Sequence, residues 1–274
     1  MPEYESIDMN PSNNIRPPAV AGLFYPADEK RLRAGVTEML NNVTVEAPAP
    51  KALILPHAGY VYSGPVAASG YKQLERLQGQ IRKVILLGPS HHVPFNGLAT
   101  SSCDFFGSPL GQIAVDRANL EKIAVFDYIS QIDSAHRQEH SLEVHLPFIS
   151  QVLGEVLLTP LVVGSASVEE VANVLDAVWG GNETLIIISS DLSHYHDYDQ
   201  AVMLDNKTSR AILDFRYDEI TYDMACGRNA VNGLLKTAHA RQLHSLLLDV
   251  RNSGDTAGTR DRVVGYGAYE FYAS

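Results

Sequence analysis

Three apolar stretches run directly into histidine or aspartate. KALIL at 51–55 is followed by Pro56, His57, Ala58, Gly59 and Tyr60. KVILL at 83–87 is followed by Gly88, Pro89, Ser90, His91 and His92. TLIII at 184–188 is followed by Ser189, Ser190, Asp191, Leu192, Ser193 and His194. Imidazole ligates metals and exchanges protons near neutral pH, and a carboxylate beside it adds a charge or another ligand. One histidine after a strand most often makes a structural hydrogen bond. Its recurrence after three separate stretches points to a shared cleft. If the three are neighbouring parallel strands, their carboxyl ends open on one crevice, where α/β sheets bind ligands. His57, His91, Asp191 and His194 would then converge. His92 reads as the weaker member of its pair, facing solvent or capping a turn. His196 and the Asp-Tyr-Asp after it read as an exposed polar loop.

Two further places carry reactive side chains. Cys226, in Ala-Cys-Gly-Arg, stands just before the helical pattern at 227–240. A helix N-terminus and the neighbouring Arg228 would both lower a thiol pKa. The residue reads equally as a metal ligand, a nucleophile or a small buried apolar group. The stretch DSAHRQEHSLEVHLP at 133–147 holds His140, Glu143 and His145. His140 and Glu143 share a helix face at a spacing of three, and His145 does not. A zincin pair needs histidines four apart; these are five apart, so support of a neighbouring site or a helix-cap network fits better than ligation. Cys103, in SSCDFF, has no polar partner nearby and reads as a packed apolar residue. There is no phosphate-binding glycine loop and no complete dinucleotide fingerprint.

The elements that must hold these residues are legible in outline. The apolar runs at 51–55, 83–87, 156–163 (broken by Pro160) and 184–188 are continuous and do not alternate, as in strands covered on both faces of a largely parallel sheet. Helical patterns occupy 28–42, 65–77, 116–125, 140–153, 168–178, 201–214 and 227–240. Pro65 suits a first helical position, and Ser167 a cap. VVGYGAYEFY at 263–272 reads as a long strand. The expected architecture is α/β: a three-layer αβα sandwich with a mostly parallel, mixed central sheet and antiparallel additions on the C-terminal side.

The 274 residues, 45% hydrophobic and 19% charged, fit one globular domain over 16–274 behind a flexible segment at 1–15. A net charge of −11 argues against nucleic-acid or anionic-membrane partners. Two cysteines rule out a disulfide scaffold and fit a reducing compartment. The start has no secretory pattern, and the apolar runs are too short to cross a bilayer. Cytoplasmic location is the expectation.

Ordered motifs carry a resemblance: PAVAGLFYP, PHAGYVYSG, LGPSHHVP, EHSLEVHLPF, SSDLSHY, ACGR and GYGAYEF. Over most of its length, from about Arg16 to Phe271, the chain resembles the Memo family, the mediator of cell motility and its microbial relatives. The resemblance implies a fold like that of class III extradiol dioxygenases, which are non-haem iron enzymes. By the same resemblance His57, His91 and Cys226 match the metal ligands, and Asp191 and His194 match the SSDxxH block, with His194 as acid/base. His140, Glu143, His145, Tyr60, Tyr195 and Arg228 would support the pocket from around it. Cysteine stands where the dioxygenases place a carboxylate. Thiolate favours softer metals than the carboxylate site that suits Fe(II). One metal ion is implied, Fe(II) or copper first and zinc as the alternative. The resemblance also implies partners: an AMMECR-type protein and a radical-SAM protein.

Three functions are therefore in play. The first is a metal-dependent redox enzyme or oxygenase acting on a small molecule, with Tyr60, Tyr62 and Tyr195 lining its pocket or simply packing. The second is a non-catalytic ligand- or peptide-binding interaction module on the same fold, as the signalling link of animal relatives implies. The third is a thiol enzyme using Cys226 as nucleophile with His57 or His194 as base.

Overall fold

The computed structural model describes residues 14–44 and 46–274. Most of the segment expected to be loose, 1–13, lies outside them, and Ile15 already belongs to a strand. The strands in chain order are β1 (Ile15–Arg16), β2 (Ala52–Leu55), β3 (Lys83–Pro89), β4 (Leu98–Thr100), β5 (Phe105–Ser108), β6 (Gly111–Val115), β7 (Ile129–Gln131), β8 (Leu157–Val163), β9 (Thr184–Ser189), β10 (His194–His196), β11 (His244–Asn252) and β12 (Val263–Tyr272). Among the described residues they form one mixed sheet in the order β1-β5-β6-β8-β3-β9-β2-β12-β10. In addition, β11 pairs with β12, and β4 pairs with β7 and β8.

The centre of that sheet is parallel, as the continuous apolar runs require. β8 pairs parallel to β3, β3 to β9 and β9 to β2, and β12 then adds antiparallel to β2. Every residue of β2 and β9 is buried, so both faces are covered. The helices are α1 (Glu29–Asn41), α2 (Tyr60–Lys72), α3 (Arg117–Ile123), α4 (Asp133–Arg137), α5 (His140–Glu143), α6 (Leu146–Leu153), α7 (Val168–Val178), α8 (Tyr198–Leu213) and α9 (Arg228–Ala240). One group of them, α1, α2 and α6, packs together with α2 on β2 and β12. Another, α3, α7 and α9, meets the sheet at β3, β8 and β9, and α8 lies on β11 and β12. Local chemistry fixes several starts. Asp28 caps α1 through the amide of Arg31, and Ser167 and Glu170 close a reciprocal capping box on α7.

Several boundaries differ from the sequence reading. The second helix begins at Tyr60, with Gly59 as its N-cap, so Pro65 lies inside it and is not its first residue. The helix expected over 140–153 is two helices. Pro147 has no N–H for the Glu143 carbonyl, so no α-helix runs through that point. Pro160 does not break β8: it pairs in register with Leu86, while the opposite flank, paired at 157–158 by β6 and at 162–163 by β4, is open at the proline. The polar loop expected after His194 is partly β10 and partly α8, whose N-cap is Asp197. Strands β1, β4 to β7, β10 and β11 were not legible. Apart from β11 they have five residues or fewer, too short to show a period.

Candidate metal centre

Strand order brings the reactive side chains together. β9 lies between β3 and β2, so the segments leaving their carboxyl ends are neighbours. His57 follows β2 in the short connection to α2. His91 follows β3, and Asp191 and His194 follow β9. Cys226 arrives from elsewhere, in the turn before α9. Gly227 allows its approach: a Cβ there would lie 2.6 Å from the Ser189 carbonyl and 2.8 Å from Ser190 Cβ. The amide of Cys226 donates to the Asp191 carbonyl at 3.3 Å. One donor atom each from His57, His91 and Cys226 lies within 4.8 Å of the other two.

Hydrogen bonds fix the two imidazoles. His57 Nδ1 is 2.7 Å from Ser189 Oγ, and that hydroxyl donates to the Ser141 carbonyl at 2.6 Å. A carbonyl only accepts, so the hydroxyl proton is committed there and Ser189 accepts from His57 Nδ1–H. Nε2 is left with only its lone pair, an acceptor for the Cys226 thiol at 3.3 Å. About 3.5 Å is expected between N and S donors on one tetrahedral ion with bonds of ~2.0 and ~2.3 Å. His91 is held the same way: its Nδ1 lies 2.8 Å from Glu139 Oε1, and its backbone N–H donates to Oε2 at 2.6 Å. An imidazole bound to a carboxylate through one nitrogen, with the other left as donor, is the usual support of a metal-ligating histidine. Burial alone would raise the Glu139 pKa, but the hydrogen bond and charge of His91 and the amides of His91 and Ser141 take it down to about 2.

The sulfur is not an activated thiolate. Burial, then the nearby Asp191 carboxyl, push the Cys226 thiol up to about 12. Arg228 does not assist it, contrary to the sequence expectation. Its guanidinium lies 3.8 Å over the Tyr222 ring. A thiol of this kind is a poor nucleophile at neutral pH, yet a bound metal removes its proton directly. Asp191 is also buried, and burial lifts its pKa to about 7. It accepts the His57 backbone N–H at 2.8 Å, and its Oδ2 is 3.9 Å from His57 Nε2. The donor set of two unprotonated imidazole nitrogens and one thiol therefore fits a soft or borderline metal.

His194 lies on a distorted strand, near enough to His57 and His91 for their charges to interact. β10 shifts register against β12 between His194 and His196, and Tyr195 between them has φ +63°. A bulge of this kind re-aims a side chain. His194 Nδ1 donates to the Leu192 carbonyl at 2.9 Å, leaving Nε2 free. Burial lowers its pKa.

The remaining predicted residues separate. His140 joins the cluster. Its ring stacks on His91 with centroids 4.5 Å apart, meets His57 edge-on at 5.4 Å, and has Nδ1 3.6 Å from Glu139 Oε1. Glu143 is spent elsewhere, accepting from Arg16, the amides of Ala19 and Val20, and Tyr25 Oη. His145 Nδ1 meets Tyr71 Oη at 2.9 Å inside the core. Tyr60 is core, not pocket wall: its hydroxyl donates to the Val144 carbonyl and its ring packs on Tyr25 and Phe148. Tyr195 is 64% exposed, with Arg262 over its ring. Glu139, Ser189 and Ser141 escaped the sequence reading. Their only signal was adjacency to named motif residues, and their partners lie 48 to 132 positions away. A cavity of about 480 Å³ opens on the Cys226 side of the cluster.

The family model described as Memo-like protein matches residues 16–270. A protein of Aquifex aeolicus (strain VF5), named MEMO1 family protein, is 34% identical over 263 residues, covering 92% of this chain and 97% of its own. A protein of the same name from Sulfolobus acidocaldarius is 32% identical, covering 94% and 99%. Among solved structures, an uncharacterized protein of Escherichia coli K12 matches with a TM-score of 0.45 and 12% identity, over 78% of this chain and 98% of that one. By the extent of the family match and the identity to full-length relatives, this chain belongs to the Memo-like protein family.

Proposed function

We propose that the chain is a metal-dependent redox enzyme, of oxygenase type, in which His57, His91 and Cys226 hold one metal ion. The observation that carries this reading is the pair of imidazoles whose Nδ1 protons are committed to Ser189 and Glu139, so that both offer Nε2 beside one thiol. The family's dioxygenase-like fold supports it. A bound Fe(II) or copper ion would supply redox and Lewis-acid chemistry at its open positions; zinc would supply only the latter.

The chain's own groups have distinct tasks. Ser189 and Glu139 hold the ligand tautomers. Asp191 ties the two ligand segments together, accepting from the His57 amide with its carboxylate and from the Cys226 amide with its carbonyl. His194, anchored through Nδ1, is the group that takes a proton from a substrate hydroxyl at Nε2. Burial of His57 keeps bulk water from the inner side of the cluster.

The test is elemental analysis of protein purified without oxygen. About one iron or copper per chain is expected, lost in Cys226→Ala and in the His57→Ala/Cys226→Ala double variant while the fold persists. Oxygen uptake would then be screened with catechol-like compounds. Stoichiometric metal in the double variant would overturn the ligand assignment. Wild type that takes up neither iron nor copper on reconstitution would favour the non-catalytic binding module.

A further inference from the structure

The cavity beside Cys226 is built from the carboxyl ends of β3 and β8, the loop after β3 and the first turn of α9. Val93, Phe95 and Val163 give it apolar walls, while Asn96, Asn229 and the Tyr222 ring give it a polar rim. Its volume of about 480 Å³ falls within the range of small-molecule sites. Among its lining residues there is no lysine, arginine, histidine, aspartate or glutamate; apart from the Tyr222 phenol, Cys226 is the one ionisable group. The rim is pre-set. Asn229 Nδ2 donates to the Gly164 carbonyl at 3.0 Å and to Tyr222 Oη at 3.2 Å, and the Arg228 guanidinium lies over the Tyr222 ring. Asn229 Oδ1 and the Tyr222 hydroxyl proton remain for a ligand.

We infer that this cavity takes an uncharged, flat molecule of about one aromatic ring, bearing a neutral hydrogen-bonding group such as an amide or hydroxyl, with its inner end against Cys226 Sγ. The inference rests on the proposed metal site only for what would react at that inner end. A carboxylate or phosphate entering here would shed water and meet no cationic side chain among the lining residues, in a chain of net charge −11. Two features would favour an anion: the N-terminus of α9, whose first turn lines the cavity, and the Arg228 guanidinium over the Tyr222 ring.

Benzamide and benzoate separate these possibilities, having nearly the same shape, one neutral and the other anionic. Calorimetric titration of the full-length protein should show benzamide binding at least about tenfold tighter than benzoate, a difference of about 1.4 kcal/mol. Phe95→Ala should weaken benzamide severalfold, and Asn96→Trp, at an exposed position that needs no core rearrangement, should block it. Benzoate binding as well as benzamide, or better, would overturn the inference in favour of an anion site at α9. So would failure of both probes to saturate below about 10 mM, or benzamide binding unaffected by Asn96→Trp. Metal is measured on the same samples. His57→Ala, which does not line the cavity, should lose metal and keep benzamide. A wild type that binds benzamide but no metal would overturn the function proposed above and leave the ligand class standing.

Discussion

A histidine is best set to ligate a metal when its other ring nitrogen is committed elsewhere, and in the proposed ligands His57 and His91 those commitments fall on Ser189 and Glu139. Glu139→Gln replaces an ionised acceptor with an amide that can rotate its NH₂ toward His91. Metal affinity should fall about 10- to 100-fold by chelator competition, with the circular dichroism spectrum unchanged. Retained affinity would show that His91 needs no carboxylate. Ser189→Ala should act in the same direction through His57, whose buried Nδ1–H would lose its acceptor. Tyr60 and Arg228 illustrate the reverse case. Their residue types suit a pocket, but one hydroxyl is spent on the Val144 carbonyl and one guanidinium on the Tyr222 ring.

At the scale of elements, the turn before α9 and the long strand β12 carry the most testable consequences. Gly227→Ala would drive a Cβ into the Ser189 backbone, which cannot rotate aside. The change should cost about 1–3 kcal/mol in urea unfolding and displace Cys226, so metal uptake should fall with it. In β12, Glu270 is wholly buried and neither carboxylate oxygen has a hydrogen-bond partner among the described residues. Burial raises its pKa to about 7, opposed only by Arg76. Because the folded pKa lies above the unfolded one, its stabilising proton is fully held below about pH 4.5 and lost as pH rises through 7. Glu270→Gln has no such proton to lose. Its stability relative to wild type should therefore improve by on the order of 2 kcal/mol between pH 4.5 and pH 8. A difference that stays constant with pH would mean that Glu270 titrates normally.

Across the whole molecule, the decisive connections are long-range. Arg16, buried in β1, pairs with Glu143 of α5 and donates to the His136 and Glu139 carbonyls. Glu143→Ala would leave a buried guanidinium without its carboxylate, and a loss of about 3–5 kcal/mol in urea unfolding is expected. A loss under about 1 kcal/mol would mean that water reaches the pair. Among the described residues no helix is long and apolar enough to cross a membrane. The amino-acid sequence by itself determined the apolar runs of β2, β3, β8 and β9, the parallel core they imply, and the histidines and aspartate at three of their ends. Those are local properties, written in composition and period. The tertiary structure decided that β9 lies between β3 and β2, that Cys226 joins them from the turn before α9, which imidazole nitrogens are free, and that Glu143, His145 and Tyr60 serve the core. Each of these depends on which groups meet across tens to more than a hundred residues, and a buried polar atom accepts whichever partner the packed fold supplies.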